Sequence, residues 1–203
     1  MISGMLAAIT NWIIHIISSL GYPGVGLLMG IQSAAIPLPS EVIIPFAGFL
    51  AQQGRFSILG LAFAGGLGSM VGSWVTYFLG FYGGRPLVLR YGRYILISEQ
   101  DLNLTERFFQ KFGVTSILIG QVLPIVRTFI SIPAGLAKLP FFRFSISVFI
   151  GSFIWSYVLA EIGSKLGEHW SVLQVYFHKF DIVIVGLIVV LVGVWIYRHI
   201  KRV

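Results

Sequence analysis

Apolar residues occur along this chain in long runs that are separated by short polar stretches. Residues 57–80 contain no charged side chain, residues 144–163 are interrupted only by Glu161, and residues 181–197 are strongly apolar and end at a basic tail. Since a helix needs about 20 mainly apolar residues to cross a bilayer, all three runs predict transmembrane helices. Residues 5–20 are marginal in length, and we expect them either to span the membrane or to lie along its interface.

Two further apolar stretches, 23–50 and 114–137, are broken near their middles by proline and glycine. Proline removes a backbone donor and distorts a helix. In lipid, a broken helix persists only where protein or a watery cavity satisfies the freed backbone groups. Each stretch therefore predicts a re-entrant hairpin that enters and leaves the membrane on one side. The residues of the breaks are Pro37, Pro39, Pro45 and Gly48 in the first stretch, and Pro124, Pro133 and Gly135 in the second.

The segment 85–113 is the most polar part of the chain. The residues SEQD from Ser98 form a credible helix start, and Arg107 and Lys111 lie toward the far end. This pattern predicts an amphipathic helix on the membrane surface. We favour a solvated connector over a binding role, because charged runs are usually solvated faces.

Composition supports an integral membrane protein. The 203 residues are 57% hydrophobic and 10% charged, whereas soluble domains carry about 25% charged residues. The length suits one membrane domain, 1–203. The chain has no cysteine, which excludes disulfides and thiolate metal sites. The net charge of +7 fits loops held beside anionic lipid better than nucleic-acid binding. The histidines lack ligand-like spacing, so we expect neither a metal nor a cofactor.

The chain contains a weak internal repeat. PLPSEVIIPFAGFLAQQGRFS (37–57) is echoed by PIVRTFISIPAGLAKLPFFRFS (124–145), and GSMVGSWVTYFLGFYGG from Gly68 is echoed by GSFIWSYVLAEIGSKLG from Gly151. The repeats extend over about 21–84 and 112–167. Internal symmetry of this kind is typical of secondary transporters.

The positive-inside tendency gives the repeat a direction. The basic connector 85–111 and the basic C-terminus are both expected in the cytoplasm. The two hairpins then enter from opposite faces. The predicted fold class is an all-α integral membrane protein with an inverted repeat, which combines two opposed re-entrant hairpins with transmembrane helices.

Each hairpin break carries one charge. Glu41 lies at the first break and Arg127 at the second. Charged residues inside a membrane are costly and usually mark a functional pathway. A purely structural ion pair between Glu41 and Arg127 is the competing interpretation. We favour a shared functional site because both residues lie on broken helices, where transporter sites concentrate.

The residue types favour an anionic substrate. Arginine offers a rigid fork of donors that suits phosphate, and Ser40, Gln121 and Thr128 could add hydrogen bonds. Burial favours the neutral form of a carboxylic acid, so Glu41 is expected to couple transport to protons or to gate it. Glu161 is a candidate third member, although an interface position suits it equally. The sequence contains no nucleophile–base pattern or nucleotide loop, so we expect no enzyme.

Several motifs resemble the DedA family, within the wider group of SNARE-associated Golgi or VTT-domain membrane proteins. They are PLPSEVIIPFAG, GSWVTYFLGFYGGRP, RYGRYILIS, FFQKFG, and LPIVRTFISIPAG followed by FFRFS, over about residues 20–165. The resemblance implies a lipid carrier linked to the proton-motive force. Bacterial members of the family return undecaprenyl phosphate across the cytoplasmic membrane or flip phosphatidylethanolamine, and eukaryotic relatives are scramblases.

The resemblance also assigns residues. Glu41 matches the family's essential acid, and Arg127 matches the second of its two arginines. This chain departs from the pattern twice, because Gln121 replaces the first arginine and Gln53 replaces a second acid of some members. These replacements put the phosphate affinity and the proton stoichiometry in question. Residues that could supply the missing positive charge are Arg55, Lys138 and Arg143.

We therefore expect a multi-pass protein of the bacterial cytoplasmic membrane that transports a lipid phosphate, with undecaprenyl phosphate as the first candidate and protons as partners. Alternatives are a phospholipid flippase or scramblase and a proton-coupled small-ion antiporter. A homodimer is compatible with the sequence but does not follow from it.

Overall fold

The computed structural model describes residues 2–36, 38–95, 107–109, 111–122 and 124–165. The predicted C-terminal span 181–197, the predicted helix start at Ser98 and the residue Pro37 lie outside these ranges. In the described part of the chain all regular structure is helical. The helices are α1 (Ile2–Leu20), α2 (Tyr22–Ser33), α3 (Ser40–Gln52), α4 (Ile58–Ile95), α5 (Thr115–Val122), α6 (Pro124–Phe129), α7 (Ser131–Leu136) and α8 (Phe141–Lys165). Residues 107–109 and 111–112 are also helical.

Two of the described helices are long and apolar enough to cross a membrane, namely residues 58–83 of α4 and the whole of α8. This confirms the prediction of an all-helical membrane protein. The helix α4 has 38 residues, which corresponds to about 57 Å at about 1.5 Å per residue. It continues past the predicted end of the span at residue 80, so the start of the predicted connector is a straight extension of α4.

The outer faces of α4 and α8 are apolar and exposed. Large side chains recur at every fourth position, as expected for one face of a helix. On α4 these are Leu59, Phe63, Leu67, Val71 and Val75, and on α8 they are Phe142, Ile146, Ile150 and Ile154. Soluble proteins rarely expose continuous apolar stripes of this length. The stripes indicate surfaces that face lipid.

Both proline-rich stretches are broken helices. The helix α2 ends at Ser33, Ala35 adopts a positive φ of 65°, and α3 begins after Pro39. In the second stretch α5 ends at Val122 and a new helix begins at Pro124, a position where the missing N–H of proline costs nothing. That each stretch returns to the same membrane face stays a prediction.

The helices α3 and α8 cross at a very short distance. A methyl group on Gly48 would collide with the carbonyl group of Ala160, and one on Gly163 would collide with the carbonyl group of Pro45. Only glycine permits backbones to approach this closely, as in small-residue contacts between membrane helices. The last arm of the first broken stretch is therefore held against the long helix of the second half.

A second crossing has the same form and joins α7 to α4. A methyl group on Gly135 would collide with the carbonyl group of Tyr77, and one on Gly80 would collide with that of Ile132. The four residues of this crossing occupy the positions equivalent to those of the first crossing in the two sequence echoes. The last arm of each broken stretch thus packs on the long helix of the other half.

Candidate functional site

Arg127 is the most unusual polar residue in the described part of the chain. It lies in the last turn of α6 and is only 2% exposed. Among the described residues, neither Nη1 nor Nη2 has a hydrogen-bond partner. An unpaired charge in a protein interior costs several kcal/mol in free energy of folding, and a charged residue inside a membrane usually serves a ligand or a mechanism.

Arg127 belongs to a polar cluster that we define as Gln121, Arg127, Ser152 and Trp155. The Arg127 guanidinium lies 5.6 Å from the centre of the Trp155 ring, which is a cation–π distance. The Ser152 hydroxyl donates to Gln121 Oε1 at 3.0 Å. This bond leaves Gln121 Nε2 as a buried donor that has no partner among the described residues, and Trp155 Nε1 is in the same situation.

Local sequence explains how the cluster forms. Gly151 lets α5 approach α8, because a Cβ at this position would lie 2.6 Å from Gln121 Cβ. Ser152 and Trp155 are one turn apart on α8 and so face the same side. The cluster therefore joins the end of α5, the last turn of α6 and the middle of α8.

Glu41 approaches the cluster from the first half of the chain. It lies in the first turn of α3 and is partly buried. Its carboxylate attracts the Arg127 guanidinium electrostatically, without a hydrogen bond to either terminal nitrogen. Ser40 beside it is fully buried, and its hydroxyl has no partner in the described structure. The structure thus brings the two predicted charges within electrostatic range.

The other predicted site residues lie outside the polar cluster or make different contacts. Thr128 is buried beside Arg127. Gln53 is exposed at the end of α3, and the exposed Arg55 donates to the Ser18 carbonyl oxygen at 3.2 Å. Lys138 and Arg143 are exposed. Glu161 accepts a hydrogen bond from the Tyr157 hydroxyl at 3.4 Å and lies 3.5 Å from Lys165 Nζ, so it is engaged along its own helix.

Sequence reasoning overlooked the aromatic and hydroxyl partners. Trp155 and Ser156 stand within the second echo, and Ser131 lies one turn after Arg127. Ser131 and Ser156 are both fully buried with hydroxyls that lack a partner among the described residues. The signal that could have found them is the repeat itself, because Ser69 and Ser73 of the first echo match Ser152 and Ser156 of the second.

The cluster is a set of donors, since guanidinium, amide and indole N–H groups dominate it. Such a set suits an oxyanion with several acceptor atoms. The described residues contain no group of three or more carboxylate, imidazole or thiol side chains that could hold a metal ion. A buried charged residue at a broken helix is typical of the substrate sites of membrane transporters.

Comparison with known proteins agrees with this class. The VTT domain model matches residues 38–165, so the chain belongs to the VTT-domain (DedA) family. Undecaprenyl phosphate transporter A of Bacillus subtilis is 30% identical over 167 residues, which cover 82% of this chain and 80% of the relative. The uncharacterized membrane protein YkoX of the same organism is 36% identical over 183 residues (88% of this chain and 80% of the relative). Undecaprenyl phosphate transporter A of Staphylococcus aureus is 27% identical over 194 residues (94% and 96%).

No solved structure matches the chain. The family and the names of two of these relatives indicate a membrane transporter rather than an enzyme.

Proposed function

We propose that this protein carries a lipid phosphate across the cytoplasmic membrane and that Arg127 and Gln121 bind the phosphate. The observation that carries this proposal is the buried Arg127 guanidinium, whose terminal nitrogens receive no acceptor from the described residues. Phosphate oxygens provide acceptors in the geometry that arginine prefers. Gln121 Nε2 and Trp155 Nε1 are further buried donors in the same cluster.

The proposed lipid is undecaprenyl phosphate. Two relatives that are matched over at least four fifths of their own length carry that substrate in their names. The apolar outer stripes of α4 and α8 allow a long hydrocarbon chain to stay in the bilayer while the head group crosses. Gln121 in place of a second arginine leaves one fixed positive charge at the site, which suits a phosphate monoester that is partly protonated near neutral pH better than a fully ionised one.

The proposed mechanism uses an inverted repeat with two opposed re-entrant hairpins. The two glycine crossings support it, because α3 on α8 and α7 on α4 use equivalent residues of the two echoes. A two-fold symmetry axis between the two halves would produce reciprocal helix contacts of this kind. Rocking of one half against the other would then expose the cluster to each face in turn.

Glu41 is proposed to couple transport to protons. A protonated Glu41 would leave Arg127 free to hold the phosphate, and an ionised Glu41 would compete with it for the guanidinium. We expect transport by the wild type to depend on pH and transport by Glu41→Gln to lose that dependence. An unchanged pH profile in Glu41→Gln would remove the proton role.

Transport itself is tested in vesicles that contain the purified protein and a labelled polyprenyl phosphate. The measured quantity is the rate at which label becomes protected from a membrane-impermeant reagent. Arg127→Lys keeps the charge but loses the fork of donors, and we expect about a tenfold lower rate, which corresponds to about 1.4 kcal/mol. Lys165→Arg, which exchanges the same two residue types at an exposed position of α8, is the control and should transport normally.

The same vesicles separate the alternatives. Equal rates for labelled polyprenyl phosphate and phosphatidylethanolamine, in both directions and without a gradient, would replace the carrier by a scramblase. Movement of a small cation without lipid movement would replace it by an antiporter. Equal rates in Arg127→Lys and in the wild type would end the assignment of the phosphate site.

A further inference from the structure

An open groove lies on the outer surface of the second half. It has a volume of about 1070 Å³ and runs between the helical residues 107–109 and 111–112, the helix α5 and the α6–α7 segment. Its walls are apolar and its exposed side chains are large, including Phe108, Phe112, Ile119 and Phe129. A volume of this size accommodates a long hydrocarbon chain.

The rim of this groove is basic. Arg107 and Lys111 are one turn apart, exposed and both in contact with the groove. Lys111 Nζ lies 5.4 Å from the centre of the Phe112 ring, so the ammonium group stands at the boundary between the apolar wall and the polar surface. Apolar walls below two cations match a lipid with an anionic head group.

The α6–α7 segment separates the groove from the polar cluster. Val126, Phe129 and Pro133 line the groove, whereas Arg127 and Ser131 are buried on the other side. The spacing of these two sets is that of two faces of one helix. One helix thickness therefore lies between the groove and the buried guanidinium.

A second groove provides a comparison without charge. It runs along α2 and α4, has a volume of about 1000 Å³, and is lined by Tyr22 and apolar residues such as Leu67 and Val71. None of its lining residues is charged. The two grooves match in size and apolar character, so the basic rim distinguishes the first.

We propose that the groove with the basic rim is a binding site for an anionic lipid, with the phosphate at Arg107 and Lys111 and the hydrocarbon chain along the apolar wall. The site would hold the substrate lipid before its head group passes to Arg127. That role rests on the proposed function, whereas binding of an anionic lipid in the groove does not.

The absence of cysteine from the chain makes the test direct. Ile119→Cys places one thiol in the basic groove and Val71→Cys places one in the uncharged groove, and both native side chains are more than half exposed (61% and 52%). Each variant is labelled with a bimane fluorophore and reconstituted in phosphatidylcholine vesicles. Brominated phosphatidylglycerol or brominated phosphatidylcholine is then titrated as a contact quencher.

At Ile119 we expect brominated phosphatidylglycerol to quench at about a tenfold lower concentration than brominated phosphatidylcholine. Arg107→Gln combined with Lys111→Gln should bring this ratio close to one, because these two cations are the groups that attract the anionic head group. At Val71 the two lipids should quench equally. These results together support the site.

Three results would overturn it. Equal quenching at Ile119 by both lipids excludes anionic selectivity, and weak quenching by both shows that lipid does not occupy the groove. A preference that survives the double substitution shows that the two cations are not responsible.

The same measurements separate the lipid site from the transport proposal. If Ile119 shows the preference and the wild type moves no polyprenyl phosphate, the lipid site in the groove is supported and the proposed transport is contradicted. If the wild type transports the lipid and Ile119 shows no preference, the proposed transport is supported and the lipid site in the groove is contradicted.

Discussion

Replacement of Arg127 by methionine is expected to make the lipid-free protein more stable while it abolishes lipid-phosphate binding. The substitution removes a buried charge whose terminal nitrogens have no acceptor among the described residues. Replacing buried ionic groups by packed apolar side chains stabilises proteins by about 1–4 kcal/mol in several cases. Methionine is flexible enough to fill the space of the guanidinium stem.

Two losses reduce this gain. The guanidinium gives up its position over Trp155, and a desolvated cation–π contact contributes about 2 kcal/mol or less. The attraction by Glu41 is also lost, but Glu41 is partly exposed and therefore remains partly hydrated. The net expectation is a stabilisation of up to about 2 kcal/mol, which raises the unfolding midpoint by up to about 8 °C for a chain of this size.

The assay is thermal unfolding of purified protein in detergent, with and without polyprenyl phosphate. Lipid at about a hundredfold excess over its Kd should stabilise the wild type by about 2.7 kcal/mol and leave Arg127→Met unchanged. Lys165→Met, at a side chain that is 80% exposed, is the control and should leave both midpoints close to those of the wild type. A lower midpoint for lipid-free Arg127→Met would refute the reasoning, because it would mean that Arg127 is a structural partner of groups within the protein.

Three further sets of substitutions probe the packing around the site. Trp155→Ala should weaken polyprenyl-phosphate binding about tenfold, because the ring face beside Arg127 is lost. Trp155→Phe keeps an aromatic ring and should lose less affinity. An equal loss of affinity in both variants would assign the effect to the indole N–H. Gly48→Ala and Gly135→Ala should each lower the free energy of unfolding by about 1–3 kcal/mol. Gly26→Ala should lower it by less, because a Cβ on Gly26 would lie 3.3 Å from the nearest atom. A lower unfolding midpoint for Gly26→Ala than for the other two variants would contradict the close crossings. Tyr77→Phe should cost about 1–2 kcal/mol, because it leaves a backbone carbonyl group without its 2.5 Å hydrogen bond, and transport at a permissive temperature should persist.

The helical membrane architecture could be predicted because it depends on local pattern. The runs 57–80 and 144–163 are long, apolar and uncharged or nearly so, and they coincide with α4 and α8. The breaks near Pro39 and Pro124 could be placed because proline acts on the nearest turn of the chain. The predicted break residues Pro45, Gly48, Pro133 and Gly135 lie instead inside α3 and α7, where the glycines serve the helix crossings. The continuation of α4 to Ile95 was not predicted, since an increase in polarity ends a membrane span but does not end a helix.

The contacts between the halves could not be predicted from local pattern. Nothing near Gly48 in the sequence indicates that its partner is Ala160, and nothing near Arg127 indicates that Trp155 faces it. Such pairs depend on the angle at which two distant helices cross. The predicted site residues Glu41, Arg127 and Gln121 came from charge and from the family resemblance, and their roles stay predictions until the transport measurements are made.

The reciprocal glycine crossings also have a consequence for biogenesis. The surface of α3 that receives α8 is synthesised about 110 residues before its partner, which is a delay of about 5–20 s at ordinary elongation rates. During that interval the first half lies in the bilayer, and the glycine-containing surface of α3 is not yet covered by α8. The two halves therefore cannot mature one after the other as separate units. Translation of the first half alone should yield a species that membrane proteases remove, and supplying the second half as a separate chain should rescue it.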